Sequence, residues 1–488
     1  MKINLNRVAF IFLILAVSLD LLGGRWAGYL RSPVPGIFLP DFLYLTSIFL
    51  IVSQRENYRN WFKDNSYSLL LLSVSAVGYV AIKFGMGLFY HHEKFSYAIR
   101  DGALLFFFAS APFASLAFKG VSNIKIRAVI KWSCLIYVVL YILVYLGIVT
   151  PFNSAILGND HVRIFEFGGD LVGVVSGITY LFWSNFEGNQ KISNIARILS
   201  IAPLVVNNSR GGVIAMIVVI ALTIFYVTRP RLKSEILIIL TGLAIGFAMS
   251  LKGVDSYYGV PSYSSNLDQS KLSKPDEVSS SALSKLIRTT NVFSSDARRR
   301  NRADKEFPIL ESNEYYKPFI LPYGLQGLLE VDGTFAARLA TWKIVLEYLI
   351  RKGMIAAGGP YGSQILYEAC SNPYLPTYGA EYPGGGSLGP KCPIDSNETY
   401  FPVRDAHNFL LTLLLYNGLV GVFIFIALLL IQLKGAATLL GECKVYASIA
   451  LVGYCISGLF STFASSPFVM VPCAFMLAWM QSQNKPND

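Results

Sequence analysis

The sequence predicts an all-α polytopic membrane protein of about a dozen transmembrane helices, interrupted near its C-terminal third by one large, partly helical outer loop domain. Three observations predict it. Of the 488 residues, 53% are hydrophobic and only 15% are charged, where soluble domains carry about a quarter charged residues. Apolar runs of roughly 17–25 residues, long enough to cross about 30 Å of hydrocarbon, recur along the chain. The basic residues, finally, collect in alternate loops between those runs.

The runs fall at about 8–23, 36–53, 67–90, 98–118, 126–148, 171–185, 193–209, 212–228, 234–251, 407–433, 445–461 and 466–481. In lipid each must satisfy its own backbone hydrogen bonds, so each reads as a helix. The first follows Lys2 and Arg7, as a signal peptide would. Leu21-Leu22-Gly23-Gly24-Arg25 lacks a small-x-small cleavage site, however, so the run reads as an uncleaved first helix. One set of alternate loops and flanks carries Arg55, Arg59, Lys63, Lys119, Lys125, Arg127, Lys131, Lys191, Arg197, Arg229, Arg231, Lys233, Lys434 and Lys444, whereas the short loops opposite hold only about six Lys or Arg. The positive-inside rule then puts both termini in the cytoplasm and the long segment 252–406 outside. The organisation that follows is 1–251 for helices one to nine, 252–406 for the outer loop domain, 407–481 for helices ten to twelve and 482–488 for a cytoplasmic tail.

A net charge of +11 and a pI near 9.2 do not make a nucleic-acid binder. That would need a clustered basic face with groove-reading or base-stacking elements, whereas most of the basic residues here flank apolar spans and meet membrane lipids.

The outer segment divides by composition. Residues 255–306 are rich in Ser, Lys and Arg and read as a mobile loop. Its Arg298-Arg299-Arg300 run with Arg302 is either simply solvated or a contact for anionic lipid or glycan. Phe335, Leu339, Trp342, Leu346 and Leu349 recur at helical spacing, which predicts an amphipathic helix over 334–351. Residues 353–404 are full of Gly, Pro and Tyr and read as irregular. Cys134, Cys443, Cys455 and Cys473 lie in or beside spans as packed apolar residues. Cys370 and Cys392 share the outer domain, where an oxidising compartment permits a disulfide across the Gly/Pro-rich insertion. No Cys-x-x-Cys occurs, so neither a redox motif nor a thiolate zinc site is supported.

Three places carry candidate chemistry. Asn207-Asn208-Ser209-Arg210-Gly211-Gly212 is a polar break between two spans. Arg210 stands at its tight Gly-Gly turn, either snorkelling to the interface or fixed there as a cation facing phosphate. Arg338 lies in Thr334-Phe335-Ala336-Ala337-Arg338-Leu339-Ala340-Thr341-Trp342 and, taken alone, reads as surface decoration. Asp405-Ala406-His407-Asn408 opens the tenth span, with Gly418 about three turns below His407 and Gly421 after it. Asp405 is a candidate N-cap. The helix dipole disfavours imidazolium, so a neutral His407 can accept a proton, and the free N–H groups of that turn can bind an anion.

Together these features resemble the O-antigen ligase and polymerase superfamily of bacterial envelope glycosyltransferases. The resemblance rests on Ser209-Arg210-Gly211 before an apolar span. It continues with Arg338 followed by Trp342 and the Gly-rich Gly358-Gly359-Pro360-Tyr361-Gly362, and ends on His407-Asn408 with Gly418 and Gly421 spaced behind. It covers roughly residues 200–430 by motif and the whole chain by topology. It implies a bacterial inner-membrane enzyme of lipopolysaccharide biosynthesis with its active site facing the periplasm. The donor would be an undecaprenyl-diphosphate-linked glycan, transferred with anomeric inversion and without metal or cofactor. The acceptor would be the lipid A core for a ligase, to which the His-Asn to Gly spacing tilts the reading, or a second glycan chain for a polymerase. His407 would act as general base, and Arg210 and Arg338 would hold the departing diphosphate. Arg163, in Asn159-Asp160-His161-Val162-Arg163, would be a further phosphate contact. The Tyr-rich insertion 361–404 would choose the sugar.

Rival readings rest on other residues. A metal-dependent glycosyltransferase needs outer-face carboxylates, yet the loop from Gly24 to Pro35 has no Asp or Glu, and no Asp-x-Asp occurs. His91-His92-Glu93 is the only metal-like cluster and reads as a polar loop. Shape and division glycan polymerases use an outer-loop Asp, for which Asp332 and Asp405 are available. A lipid-linked glycan flippase or other transporter would place charges at midplane on broken helices. Asp20, Asp41, Arg100 and Asp101 are the intramembrane exceptions, read as helix–helix polar contacts or an Arg–Asp pair.

Overall fold

The computed structural model describes residues 5–23, 32–34, 37–54, 67–93, 95–118, 120–149, 152–153, 163–164, 169–184, 189–207, 209–228, 231–257, 342, 345–346, 348–362, 408–437, 442–459 and 467–482. Among them the architecture is helical. The elements in order are α1 Leu5–Gly23, α2 Leu39–Val52, α3 Tyr67–Gly85 with a π-turn at Met86–Tyr90, α4 Phe95–Ala114 with a 3-10 tail at Ser115–Phe118, and α5 Asn123–Tyr145. Then come α6 Gly169–Trp183, α7 Gln190–Ile201, α8 Pro203–Val206, α9 Arg210–Thr223 with a π-turn at Ile224–Thr228, and α10 Leu232–Tyr257. The last three are α11 Phe409–Ala437, α12 Glu442–Leu459 and α13 Pro467–Ser482. Two-residue strands, β1 Phe152–Asn153 and β2 Arg163–Ile164, pair antiparallel between α5 and α6.

Among the described residues, seven helices are long and apolar enough to cross a membrane: Leu5–Leu22, Ser68–Tyr90, Ala98–Phe118, Asn123–Tyr145, Gly211–Thr228, Leu232–Ser250 and Phe409–Gln432. Four shorter apolar helices, Leu39–Val52, Asp170–Trp183, Lys444–Leu459 and Val469–Ser482, accompany them. These match eleven of the twelve predicted runs. The protein is therefore a helical membrane protein.

The remaining run, 193–209, is not one apolar helix. It splits into α7 and α8 at Ala202-Pro203, because proline lacks the N–H that would continue the ladder and its ring crowds the carbonyl four residues back. α7 is also amphipathic: Lys191, Ile192 and Ile195 are exposed, while Ser193, Ala196, Arg197 and Ser200 are buried. Arg197 thus departs from its reading as a flanking basic residue. It is fully buried, 2.5 Å from Glu235 of α10. Its second nitrogen donates to Asn194 Oδ1 at 2.6 Å, and the Tyr180 hydroxyl of α6 donates to the other Glu235 oxygen. Lys444 is buried as well. The charge had to be brought inside with its partner, since a lone buried ion is too costly.

The core is apolar on all sides of two helices. Every side chain of α6 from Leu171 and of α13 from Val469 to Met480 is buried, as expected for a helix enclosed by others. Phe182 of α6 stacks on Trp479 of α13, and Phe118 meets Phe475 edge-on. α6 and α9 run side by side: a methyl on Gly173 would meet Gly212 O at 2.1 Å, and one on Gly177 would meet Val219 at 3.0 Å. Such small-residue seams are how membrane helices gain close packing without a hydrophobic drive between them. Peripheral α3, α10 and α11 instead expose Leu71, Ile82, Leu237, Leu240, Phe423 and Leu430, the surface that lipid covers.

The buried ion pair generates a stability prediction. Arg197→Met or Glu235→Leu alone strands one charge and is expected to cost about 3–5 kcal/mol, read as a lowered thermal midpoint in detergent. The double variant is expected to recover much of that loss. Additive losses in the double variant would show that the two side chains do not act as a pair.

Candidate functional site

Two glycine elements of the predicted pattern, Gly358-Gly359 and Gly418, meet at a break in α11. Gly418, nine residues after the start of that helix, takes φ 62° and ψ −170°, outside the helical region. At 1.5 Å per residue this is about 14 Å along the axis, well inside the candidate span Phe409–Gln432. A broken helix strands backbone groups, and in hydrocarbon each needs a partner. The segment 354–362 supplies them. Gly359 N–H donates to Leu415 O at 2.8 Å, while Leu419 and Val420 N–H donate to Ile355 O and Ala356 O at 2.9 and 3.1 Å. Gly418 needs glycine twice over, for its positive φ and because a Cβ would meet Ala356 O at 2.3 Å. Gly358, with φ 69°, is bound the same way, since a Cβ there would meet Gly418 N at 2.5 Å.

Side chains of α3 and α4 clamp this segment. Lys83, near the end of α3, aims its ammonium at three carbonyls: Gly359 O at 2.6 Å, Ala357 O at 2.8 Å and Gly358 O at 3.4 Å. Tyr79, one turn earlier, donates to Asn417 O at 2.7 Å, another carbonyl beside the break. Tyr361 is fully buried, and its hydroxyl donates to the Asn417 side chain. Its ring lies 5.5 Å from the Lys83 ammonium and fills the space above Gly102, where a Cβ would meet it at 2.8 Å, while a Cβ on Gly87 would meet the Tyr361 backbone carbonyl at 2.3 Å. Gly362 N–H then donates to Asp101 Oδ2 of α4 at 2.7 Å. Asp101 is therefore a helix-to-segment contact. Arg100 is instead an electrostatic neighbour of Asp41 and lies 5.1 Å over the Phe38 ring.

The helix N-termini are built from different residues than predicted. Asn408, not Asp405, caps α11: its side-chain oxygen accepts from Leu410 and Leu411 N–H at 3.0 and 3.2 Å, and its amide donates to Leu459 O of α12 at 3.0 Å. The helix accordingly starts at Phe409. Ser209 caps α9 by accepting from Gly212 N at 3.2 Å, so Arg210 is the first helical residue. Gly211-Gly212 is thus helix and not a turn, and Gly212 serves the close approach to Gly173. The Ser209 hydroxyl also donates to Asp170 Oδ1 in the first turn of α6. Two parallel helix N-termini and one carboxylate therefore meet at the Ser-Arg-Gly element, a setting where anionic groups are favoured.

Several predicted site residues fall elsewhere. Arg163 stands in β2, paired with Asn153, and Arg210 opens α9. His407, Arg338, Cys370, Cys392, the Arg298–Arg302 run and most of the insertion 361–404 lie outside the described residues, as do Asp332 and Asp405. Of the predicted amphipathic helix, the described residues between 342 and 351 are helical; Val345, Tyr348 and Leu349 are buried, whereas Trp342 and Leu346 are half-buried. Gly421 is buried in α11, one turn from Asn417. His91 packs on Tyr90, and His92 takes φ 55°, with both imidazoles exposed. Lys83, Asn417 and Asp170 were missed. A lysine inside an apolar run is a signal for Lys83, and its three acceptors, all backbone carbonyls, leave no motif.

No protein-family model, characterised protein or solved structure matches the chain.

The junction at Gly418 yields a glycine contrast. Gly418→Ala is expected to lower stability by at least the roughly 1–3 kcal/mol of a strained backbone position, with added overlap against Ala356. Gly85→Ala, whose methyl meets nothing within 4 Å, is expected to leave the thermal midpoint nearly unchanged. Equal effects would show that the break does not depend on glycine.

Proposed function

We propose that the chain is an inverting, metal-independent glycosyltransferase of a bacterial inner membrane. In this reading it moves a glycan from undecaprenyl diphosphate to an acceptor sugar, as an O-antigen ligase with the lipid A core as acceptor. Twelve spans, cytoplasmic termini and a periplasmic site belong to the same reading. The observation that carries it is the meeting of Gly358-Gly359 with Gly418. Two elements of the glycosyltransferase-like pattern, distant in sequence, form one backbone junction. The stretch holding Arg338 leads into that junction, and the helix following His407 contains its other half. The N-terminus of α9, with Arg210, supplies the third element beside Asp170.

The chemistry is a displacement at the anomeric carbon. The acceptor hydroxyl oxygen forms the new C–O bond as the bond to the diphosphate breaks, and the diphosphate leaves with the electron pair. His407 takes the hydroxyl proton. Arg210 and Arg338 offset the charge growing on the leaving group, a role for which a planar, permanently charged fork is suited. Arg163 adds a phosphate contact, and aromatic residues of 361–404 stack on the sugar.

One observation favours a second reading, a transporter of lipid-linked glycan. Asp20 is a carboxyl group fully buried in the bundle, the kind of group that transporters use for coupling. Turnover in detergent separates the two, because transport has no meaning there.

The test is donor consumption by purified protein with undecaprenyl-diphosphate glycan, EDTA, and either lipid A core or a second donor. Product on lipid A core is expected. His407→Ala should reduce turnover by about 10²–10⁴-fold, and Arg210→Ala by on the order of 10²–10³-fold. Chain extension on the second donor would make the protein a polymerase. No turnover with either acceptor, from folded protein, would sink the enzyme reading.

A further inference from the structure

A group that the proposed reaction leaves unused lies where α1 packs on α2. Asp20, one turn from the end of α1, is completely buried, and neither carboxylate oxygen has a hydrogen-bond partner among the described residues. Asp41 of α2 acts on it electrostatically. Asp41 is 8% exposed; its Oδ2 accepts from Phe38 N at a long 3.4 Å, and its Oδ1 has no hydrogen-bond partner. Arg100 of α4 acts on Asp41. Around Tyr454 of α12, the same electrostatic neighbourhood holds Asp20, Tyr137 and Cys134 of α5, and Cys473 of α13. Arg100 thus acts on Asp41, whereas the charged group that acts on Asp20 is a second carboxylate.

Charge balance decides what else must be present. An ionised carboxylate without partners cannot be held in an apolar interior, least of all beside a second one. A missing hydrogen bond could be tolerated by a neutral group, but a missing positive charge could not. We propose that Asp20, with Asp41 beside it, is a buried site for a monovalent cation, either a proton or an alkali ion such as sodium. Divalent ions fit poorly: calcium takes about six to eight oxygens, and no group of three or more His, Cys, Asp or Glu residues gathers among the described residues. The occupant cancels the charge at the α1–α2 seam and allows the two helices to pack there. The site shares no residue with the Gly418 junction and does not rest on the glycosyl-transfer reading.

The test uses the full-length protein in detergent. Infrared spectra at neutral pH report the carbonyl stretch of a protonated acid, and thermal midpoints are compared in sodium chloride and choline chloride. A proton occupant gives an acid stretch that vanishes in Asp20→Asn, with equal midpoints in the two salts. A sodium occupant gives no such stretch but a midpoint several degrees higher in sodium than in choline, a difference lost in Asp20→Asn. Either result supports the site. Wild-type protein with no acid stretch and no dependence on sodium overturns it. Asp41→Asn serves as a second variant if Asp20→Asn does not fold. It is expected to alter the pH range of the acid stretch or to weaken the sodium effect, and a variant identical to wild type in both readouts likewise overturns the site.

Discussion

Backbone groups without water are the constraint on which this molecule turns. A helix in lipid satisfies itself, and any departure from helical geometry at that depth has to be matched by other protein. α11 departs at Gly418, and 354–362 is the matching piece: its carbonyls and amides take up Leu415 O, Leu419 N and Val420 N. The break and the inserted segment are each untenable alone. Their pairing explains why a Gly/Pro-rich stretch, which would ordinarily be surface loop, is held among α3, α4 and α11.

Lys83 follows from the same constraint. The carbonyls of residues 357–359 point into the bundle with no helical donor, and one ammonium with three hydrogens meets all three. The charge is costly to bury, but it is spread over carbonyl dipoles and a tyrosine face. Arg197 solves a related problem differently, with a full counter-charge at Glu235 and a phenol completing the carboxylate. Asp20 has neither solution among the described side chains, which is why it demands an occupant.

Much of the fold was legible because apolar run length is a direct reading of membrane thickness. Eleven runs became apolar helices, and the twelfth divides at a visible proline, Pro203, six residues after an arginine that periodicity could have placed on a buried face. The site was legible only in part. Gly358, Gly418 and Ser209 were singled out from their pattern, but each has a long-range reason: Gly358 answers to Gly418, Gly418 to Ala356, and Ser209 to Asp170. Asn408 and Asp405 are both good caps by residue type, and a choice between them needed Leu459 O, from another helix. Lys83 bonds to carbonyls, which every residue carries, so no local pattern could announce its partners.

The Lys83 clamp also has a consequence for biogenesis. Its acceptors follow it by 274 to 276 residues. At about 5–20 residues per second of synthesis, the third helix is made some tens of seconds before the carbonyls that will hold its charge. Throughout that interval the ammonium has Asp101 of the following helix as a counter-charge but none of its three carbonyl acceptors. The translocon, a lipid phosphate or a displaced register must shelter it until the ribosome delivers residue 359. Maturation of this protein is thus a waiting problem, in which an early helix is finished only by a late loop.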